Sequence, residues 1–137
     1  MISLELAQKL KAAGLKWLPQ KGDYFTFEPE IVPKSPGKSM TITITSGTHC
    51  LNNMCKVGRY TRFNPPNSIW LPDLEQLQTE IATRGGQVRL EPITGREPVK
   101  YQCTLRYENQ EKDHFTGLEP EEAVGQALLW LLQQECN

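Results

Sequence analysis

The stretch Val99–Tyr107, with the sequence VKYQCTLRY, alternates apolar and polar residues without interruption. Successive side chains of a β-strand lie on opposite faces of the sheet, so this period places Tyr101, Cys103 and Leu105 on one face. The pattern predicts a strand with one buried and one solvated face. Such strands are typical of an antiparallel sheet that is covered by helices on one side.

A helix is predicted on the amino-terminal side of this strand, from about Pro72 or Asp73 to Arg84. Its apolar residues recur at three- and four-residue spacing, and Gly85 follows in the position where helices commonly end. Two starts are open. Pro72 suits the first helical position, whereas Asp73 with Gln76 fits a capping box.

The last helix is predicted to begin near Pro120, and its apolar face is wide. That face comprises Ala123, Val124, Ala127, Leu128, Leu131 and Leu132. Leu129 and Trp130 extend it further than one neighbouring element requires. Either the helix is central to the fold, or it also covers a partner subunit, which would make the protein a homodimer.

The amino-terminal half contains a predicted helix from Leu4 to Ala13 with Ser3 as its N-cap. Strands are predicted at Tyr24–Glu28 and, from strict alternation, at Met40–Thr45. Residues 46–68 read as a long loop with one short strand around Val57–Phe63.

Weaker signals follow the second helix. They predict a short strand with Val88 and Leu90, a polar turn at Asn109–Asp113, and a last short strand at Phe115. Together the elements predict an α+β fold: a four- to five-stranded, mostly antiparallel sheet packed on one face by about three helices. The length of 137 residues fits a single domain, 1–137.

Composition excludes several classes of protein. A hydrophobic content of 38% is too high for a disordered chain, and no apolar run approaches the length of a membrane span. The chain starts without the basic segment and apolar core of a signal peptide, so a cytoplasmic location is expected. In that compartment the four cysteines are expected to be thiols.

Charge is distributed unevenly along the chain. Residues 1–67 carry nine Lys and Arg against four Asp and Glu, and residues 68–137 carry six against twelve. No acidic residue occurs between Ile31 and Pro72. Such a bias marks a candidate surface for an anionic partner, although the same cations could simply balance the acidic half.

The segment 56–63 interleaves basic and aromatic residues, as anion-binding strands do. The predicted binding residues are Lys56, Arg59, Tyr60, Arg62, Lys34 and Lys38. We therefore expect a non-enzymatic accessory protein that binds another macromolecule through this basic segment. A protein partner is the first expectation, and nucleic acid is the alternative.

A metal site is a minor alternative. His49, Cys50 and Cys55 resemble part of a zinc motif, but the spacing of the cysteines is at the permissive edge, and a fourth ligand would have to come from a distant part of the chain. Neither a metal nor a cofactor is therefore predicted. No nucleophile elbow, phosphate-binding loop or dinucleotide fingerprint occurs, so an unrecognised enzyme ranks third.

Several short motifs remain after these patterns. They are Ala13–Trp17, Gly22-Asp23-x-Phe25, Ile69-Trp70-Leu71-Pro72-x-Leu74-x-x-Leu77, Phe115-Thr116-Gly117-x-x-Pro120-Glu121-Glu122-Ala123 and Ala127–Leu129. With these motifs the chain resembles small phage- and prophage-associated proteins of Gram-positive and related bacteria. They cover both ends of the chain and the second helix, but not residues 30–67. The resemblance implies a cytoplasmic, phage-linked accessory role. It transfers no catalytic residue.

Overall fold

The computed structural model describes residues 1–20, 22–27, 49–51, 54–56, 68–95 and 97–135, with the main chain alone at 27, 49–51 and 54. In chain order its elements are α1 (Leu4–Ala12), β1 (Tyr24–Phe27), β2 (His49–Leu51), β3 (Met54–Lys56), β4 (Ser68–Leu71), α2 (Leu74–Thr83), β5 (Gln87–Ile93), β6 (Lys100–Tyr107), β7 (Gln110–Gly117) and α3 (Pro120–Glu135).

The chain divides into two compact units. One joins Met1–Leu15 to Pro72–Asn137 and is called the terminal unit below; the other, Lys16–Leu71, is called the inserted unit.

The terminal unit is built on an antiparallel sheet with the strand order β5-β6-β7. The predicted strand is the central one, and the side chains of Cys103 and Leu105 are fully buried on its covered face. Helix α3 packs against all three strands and against both other helices, while α2 contacts β5. The alternation of apolar and polar residues along β6 therefore determines which face of the sheet the helices cover.

Helix α3 has a wide apolar face because it is the central helix of this unit. Ala127, Leu128 and Leu131 are completely buried. The half-buried Trp130 lies edge-on to Tyr107, with ring centroids 6.4 Å apart, and Lys112 places its amino group 5.2 Å from the indole centroid. Of the two explanations of its width, the central position is sufficient, and the homodimer stays a prediction.

Side-chain caps fix the helix starts. Asp73 is the N-cap of α2: its carboxylate accepts from the Gln76 N–H at 2.8 Å, and the Gln76 side chain accepts from the Asp73 N–H at 2.9 Å. The capping box therefore applies, and Pro72 lies outside the helix. Ser3 caps α1 as predicted, with its Oγ accepting from the Leu6 N–H at 3.2 Å.

The predicted polar turn at Asn109–Asp113 is wrong, because β7 already begins at Gln110. The turn consists of Glu108 and Asn109, both with positive φ, as a two-residue hairpin connection of type I′ requires. Strand β7 is an edge strand on which Phe115 is buried while most other side chains are exposed. With so few apolar residues, the sequence of β7 does not show the two-residue alternation that is typical of a strand.

The inserted unit contains a second antiparallel sheet with the strand order β2-β3-β1-β4. Strand β1 is central, pairing Phe25 with Cys55 of β3 and with Trp70 of β4. The expected loop over 46–68 is wrong where β2, β3 and the first residue of β4 occur. The strands predicted at Met40–Thr45 and Val57–Phe63 lie outside the described residues.

The structure confirms the α+β class. The predicted single sheet of four to five strands is not confirmed, because the described strands divide between two sheets. Strand pairing depends on contacts between distant segments, which the local pattern does not encode. The assignment of 1–137 to a single domain stays a prediction.

Candidate binding surface

A short turn precedes β1 of the inserted unit. The buried Asp23 closes it, since its Oδ2 accepts from the Trp17 indole N–H and from the Gln20 N–H, both at 2.9 Å. Asp23 also donates its own N–H to the Gln20 carbonyl at 3.0 Å. These bonds fix where Tyr24 and Phe25 begin the central strand.

One face of this sheet carries a packed group of Trp17, Phe25, Cys55 and Trp70, called the aromatic cluster below. The rings of Trp17 and Phe25 have centroids 5.1 Å apart, and Trp17 stacks nearly parallel to Trp70 at 6.4 Å. Phe25 and Cys55 are each 1% exposed. The cluster is therefore a small apolar core beneath β1.

The opposite face presents Lys56 and Tyr24, which lie directly across from each other on β3 and β1. The Lys56 amino group is 5.5 Å from the centroid of the Tyr24 ring, within the range of a cation–π interaction. Lys56 is exposed and Tyr24 is half-buried. This face of the sheet thus holds the Lys56 amino group over the Tyr24 ring at the protein surface.

Of the six predicted binding residues, the structure describes Lys56. Lys34, Lys38, Arg59, Tyr60 and Arg62 lie outside the described residues. Sequence reasoning missed Tyr24 as a neighbour of Lys56, because 31 positions separate them in the chain. An available signal was the alternation of Tyr24 with Phe25, which places the tyrosine on the face opposite the core.

The boundary between the two units is also a boundary in charge. The inserted unit, Lys16–Leu71, carries seven Lys and Arg against three Asp and Glu, a formal charge of +4. The terminal unit carries eight against thirteen, a formal charge of −5. The sequence bias is therefore a property of compact pieces of the structure.

The cysteines differ from each other in state. Cys103 is a free thiol, whereas Cys55 is disulfide-bonded, so the expectation that all four are thiols is wrong for Cys55. A disulfide sulfur is not a thiolate ligand, which counts against the zinc motif. Among the described side chains, no group of three or more potential ligands occurs.

Burial raises the pKa of the Cys103 thiol from 9.0 to about 11. The cause is desolvation, which disfavours the thiolate on the covered face of β6. At neutral pH this sulfur is therefore protonated and a poor nucleophile.

The same shift predicts a loss of stability in alkali. The unfolded thiol releases its proton from about pH 9, while the folded thiol holds it to about pH 11. The free energy of unfolding should therefore fall as pH rises across this window. Denaturant midpoints measured over this range should show a steeper fall in the wild type than in Cys103→Ala. Equal slopes would contradict the assignment.

No protein-family model, curated protein or solved structure matches the chain. The helices within the described residues are all too short or too polar to cross a membrane. The site must therefore be interpreted from its own chemistry.

Proposed function

We propose that this chain is a non-enzymatic accessory protein that binds an acidic protein partner through the inserted unit. The observation that carries the proposal is the coincidence of charge and structure: a unit of formal charge +4 lies in a chain whose remainder carries −5. The motifs quoted above support a phage- or prophage-linked role in the cytoplasm.

Lys56 provides the described anchor of the binding surface. It is exposed at the end of β3, and no acidic residue occurs anywhere from Ile31 to Pro72 to neutralise it locally in sequence. A cluster of cations without interspersed carboxylates attracts an anionic surface and orients it during encounter. The Tyr24 ring beneath the amino group limits the freedom of the lysine before binding.

Nucleic acid is the alternative partner, favoured by the interleaved basic and aromatic residues of 56–63. One observation supports a protein instead. Lys56 lies over the Tyr24 ring, which reduces the area that a nucleobase could stack on.

Charge reversal at position 56 tests the proposal. The 137-residue wild type, Lys56→Glu and the matched control Lys100→Glu are used to capture partners from the cells that make the protein, with and without nuclease. Lys100 is also an exposed lysine on a strand, but it belongs to the terminal unit. We expect Lys56→Glu to weaken capture of a protein partner about tenfold, equivalent to ~1.4 kcal/mol, and the control to leave it unchanged.

Nuclease treatment separates the two partner classes. A protein that is still captured after nuclease treatment, and released by raised salt, supports the proposal. Loss of all captured material with nuclease would favour nucleic acid. If Lys56→Glu captures as much of the protein partner as Lys100→Glu does, Lys56 is not part of the binding surface.

A further inference from the structure

Strands β2 and β3 place two cysteines opposite each other. Their register pairs Leu51 with Met54 and Cys50 with Cys55, so the strands are joined by two residues, 52 and 53. In a hairpin with a two-residue connection, the pair next to the turn exchanges both backbone hydrogen bonds. The next pair outward is then of the non-hydrogen-bonded type, with Cα atoms about 4.5 Å apart. That separation lies at the short end of the range for a disulfide.

Cys55 is disulfide-bonded, and we propose that its partner is Cys50 across this hairpin. Cys103 is excluded because it is a free thiol. The bond would tie β2 to β3 at the position where β3 also pairs with Phe25 of β1. This inference is independent of the proposed function, since it concerns the hairpin and not its partner.

The proposed pair would act as a reversible redox switch, because facing cysteines form and break a disulfide by thiol–disulfide exchange. One cysteine thiolate attacks a low-molecular-weight disulfide such as oxidised glutathione, forming a mixed disulfide and releasing one glutathione thiolate. The second cysteine thiolate then attacks the protein sulfur of that mixed disulfide and releases the second glutathione thiolate. The two protein thiols lose two protons and two electrons, and one glutathione disulfide is reduced to two thiols.

The switch sets the stability of the hairpin that carries Lys56. Each strand of the hairpin is three residues long, and short two-stranded pairs are marginal by themselves. Reduction leaves the hairpin with its register pairs, with the pairing of β3 to β1, and with the packing of Cys55 within the aromatic cluster. We therefore expect faster amide hydrogen exchange in β2 and β3 after reduction.

Tryptic mapping identifies the partner. Trypsin cleaves after Lys38 and Lys56, so residues 39–56 form one peptide that contains both cysteines. The full chain is purified without reductant and alkylated while denatured. We expect this peptide to be unalkylated and lighter than its reduced form by two hydrogen atoms, and to take two alkyl groups after reduction. The peptide 101–106 carries Cys103 and should be alkylated in both samples.

Two outcomes would overturn the pairing: double alkylation of 39–56 without reductant, or its cross-linking to the peptide 113–137, which carries Cys136. The variant Cys50→Ser gives a second test, since it should make Cys55 fully alkylatable under denaturing conditions. Equilibration with glutathione buffers tests the switch itself. We expect a sigmoidal change from the oxidised to the reduced peptide, and a peptide that keeps one state at every ratio would contradict reversibility.

Discussion

Replacement of Phe25 by alanine is expected to lower the free energy of unfolding by about 3–5 kcal/mol. The side chain is 1% exposed, lies in the central strand β1 and packs against the Trp17 ring. Its removal leaves a void between Cys55 and Trp70, which flank it in register. Among the described residues of this unit the cluster comprises four side chains, so few of them are available to fill the void.

Urea unfolding followed by tryptophan fluorescence measures this effect, because Trp17 and Trp70 belong to the same cluster. Leu18→Ala is the matched control. Leu18 is adjacent to Trp17 but 82% exposed, so its truncation should change the free energy by less than about 0.5 kcal/mol. Similar losses in the two variants would show that Phe25 is not a core residue.

Replacement of Leu128 by alanine is expected to cost about 2–5 kcal/mol in the terminal unit. The residue is completely buried on α3, the helix that packs against α1, α2 and the β5-β6-β7 sheet. Helix propensity favours alanine slightly over leucine, so the loss would arise from packing and not from the helix itself.

Leu118→Ala is the control for this prediction, because Leu118 is 58% exposed just before the same helix. Thermal unfolding followed by far-ultraviolet circular dichroism should show a large decrease in Tm for Leu128→Ala and little change for Leu118→Ala. If the two variants unfold at the same temperature, α3 is not the central helix of the unit.

The predictable parts of the fold are those with local signals. The alternation of Val99–Tyr107 and the side-chain caps at Ser3 and Asp73 are encoded within a few residues, and the structure places strand and helix starts accordingly. Strand β7 was mostly missed, because a solvated edge strand with the sequence QEKDHFTG has few apolar residues to reveal a period.

The two-sheet arrangement and the strands β2 and β3 were missed for a different reason. Three-residue strands have too few positions to show a pattern, and their stability depends on pairing with partners elsewhere in the chain.

The basic character of the candidate surface could be predicted from the sequence, but the contacts between its residues could not. The absence of Asp and Glu from Ile31 to Pro72 marks a basic segment that contains Lys56, which is exposed on a strand. The tyrosine beneath it and the cysteine opposite Cys55 follow from register, which the sequence does not state. The connection of two asparagines between Leu51 and Met54 was a usable hairpin signal for the cysteine pair.

Site-specific photo-cross-linking at position 56 is the most direct test of a binding surface on the inserted unit. Lys56 is replaced by a benzophenone amino acid in the 137-residue chain, inside the cells that make the protein, with the same replacement at Lys100 as the control. We expect a light-dependent covalent adduct with an acidic protein at position 56, formed equally after nuclease treatment, and none at position 100. The same adducts at both positions, or none at position 56, would contradict a binding surface on the inserted unit.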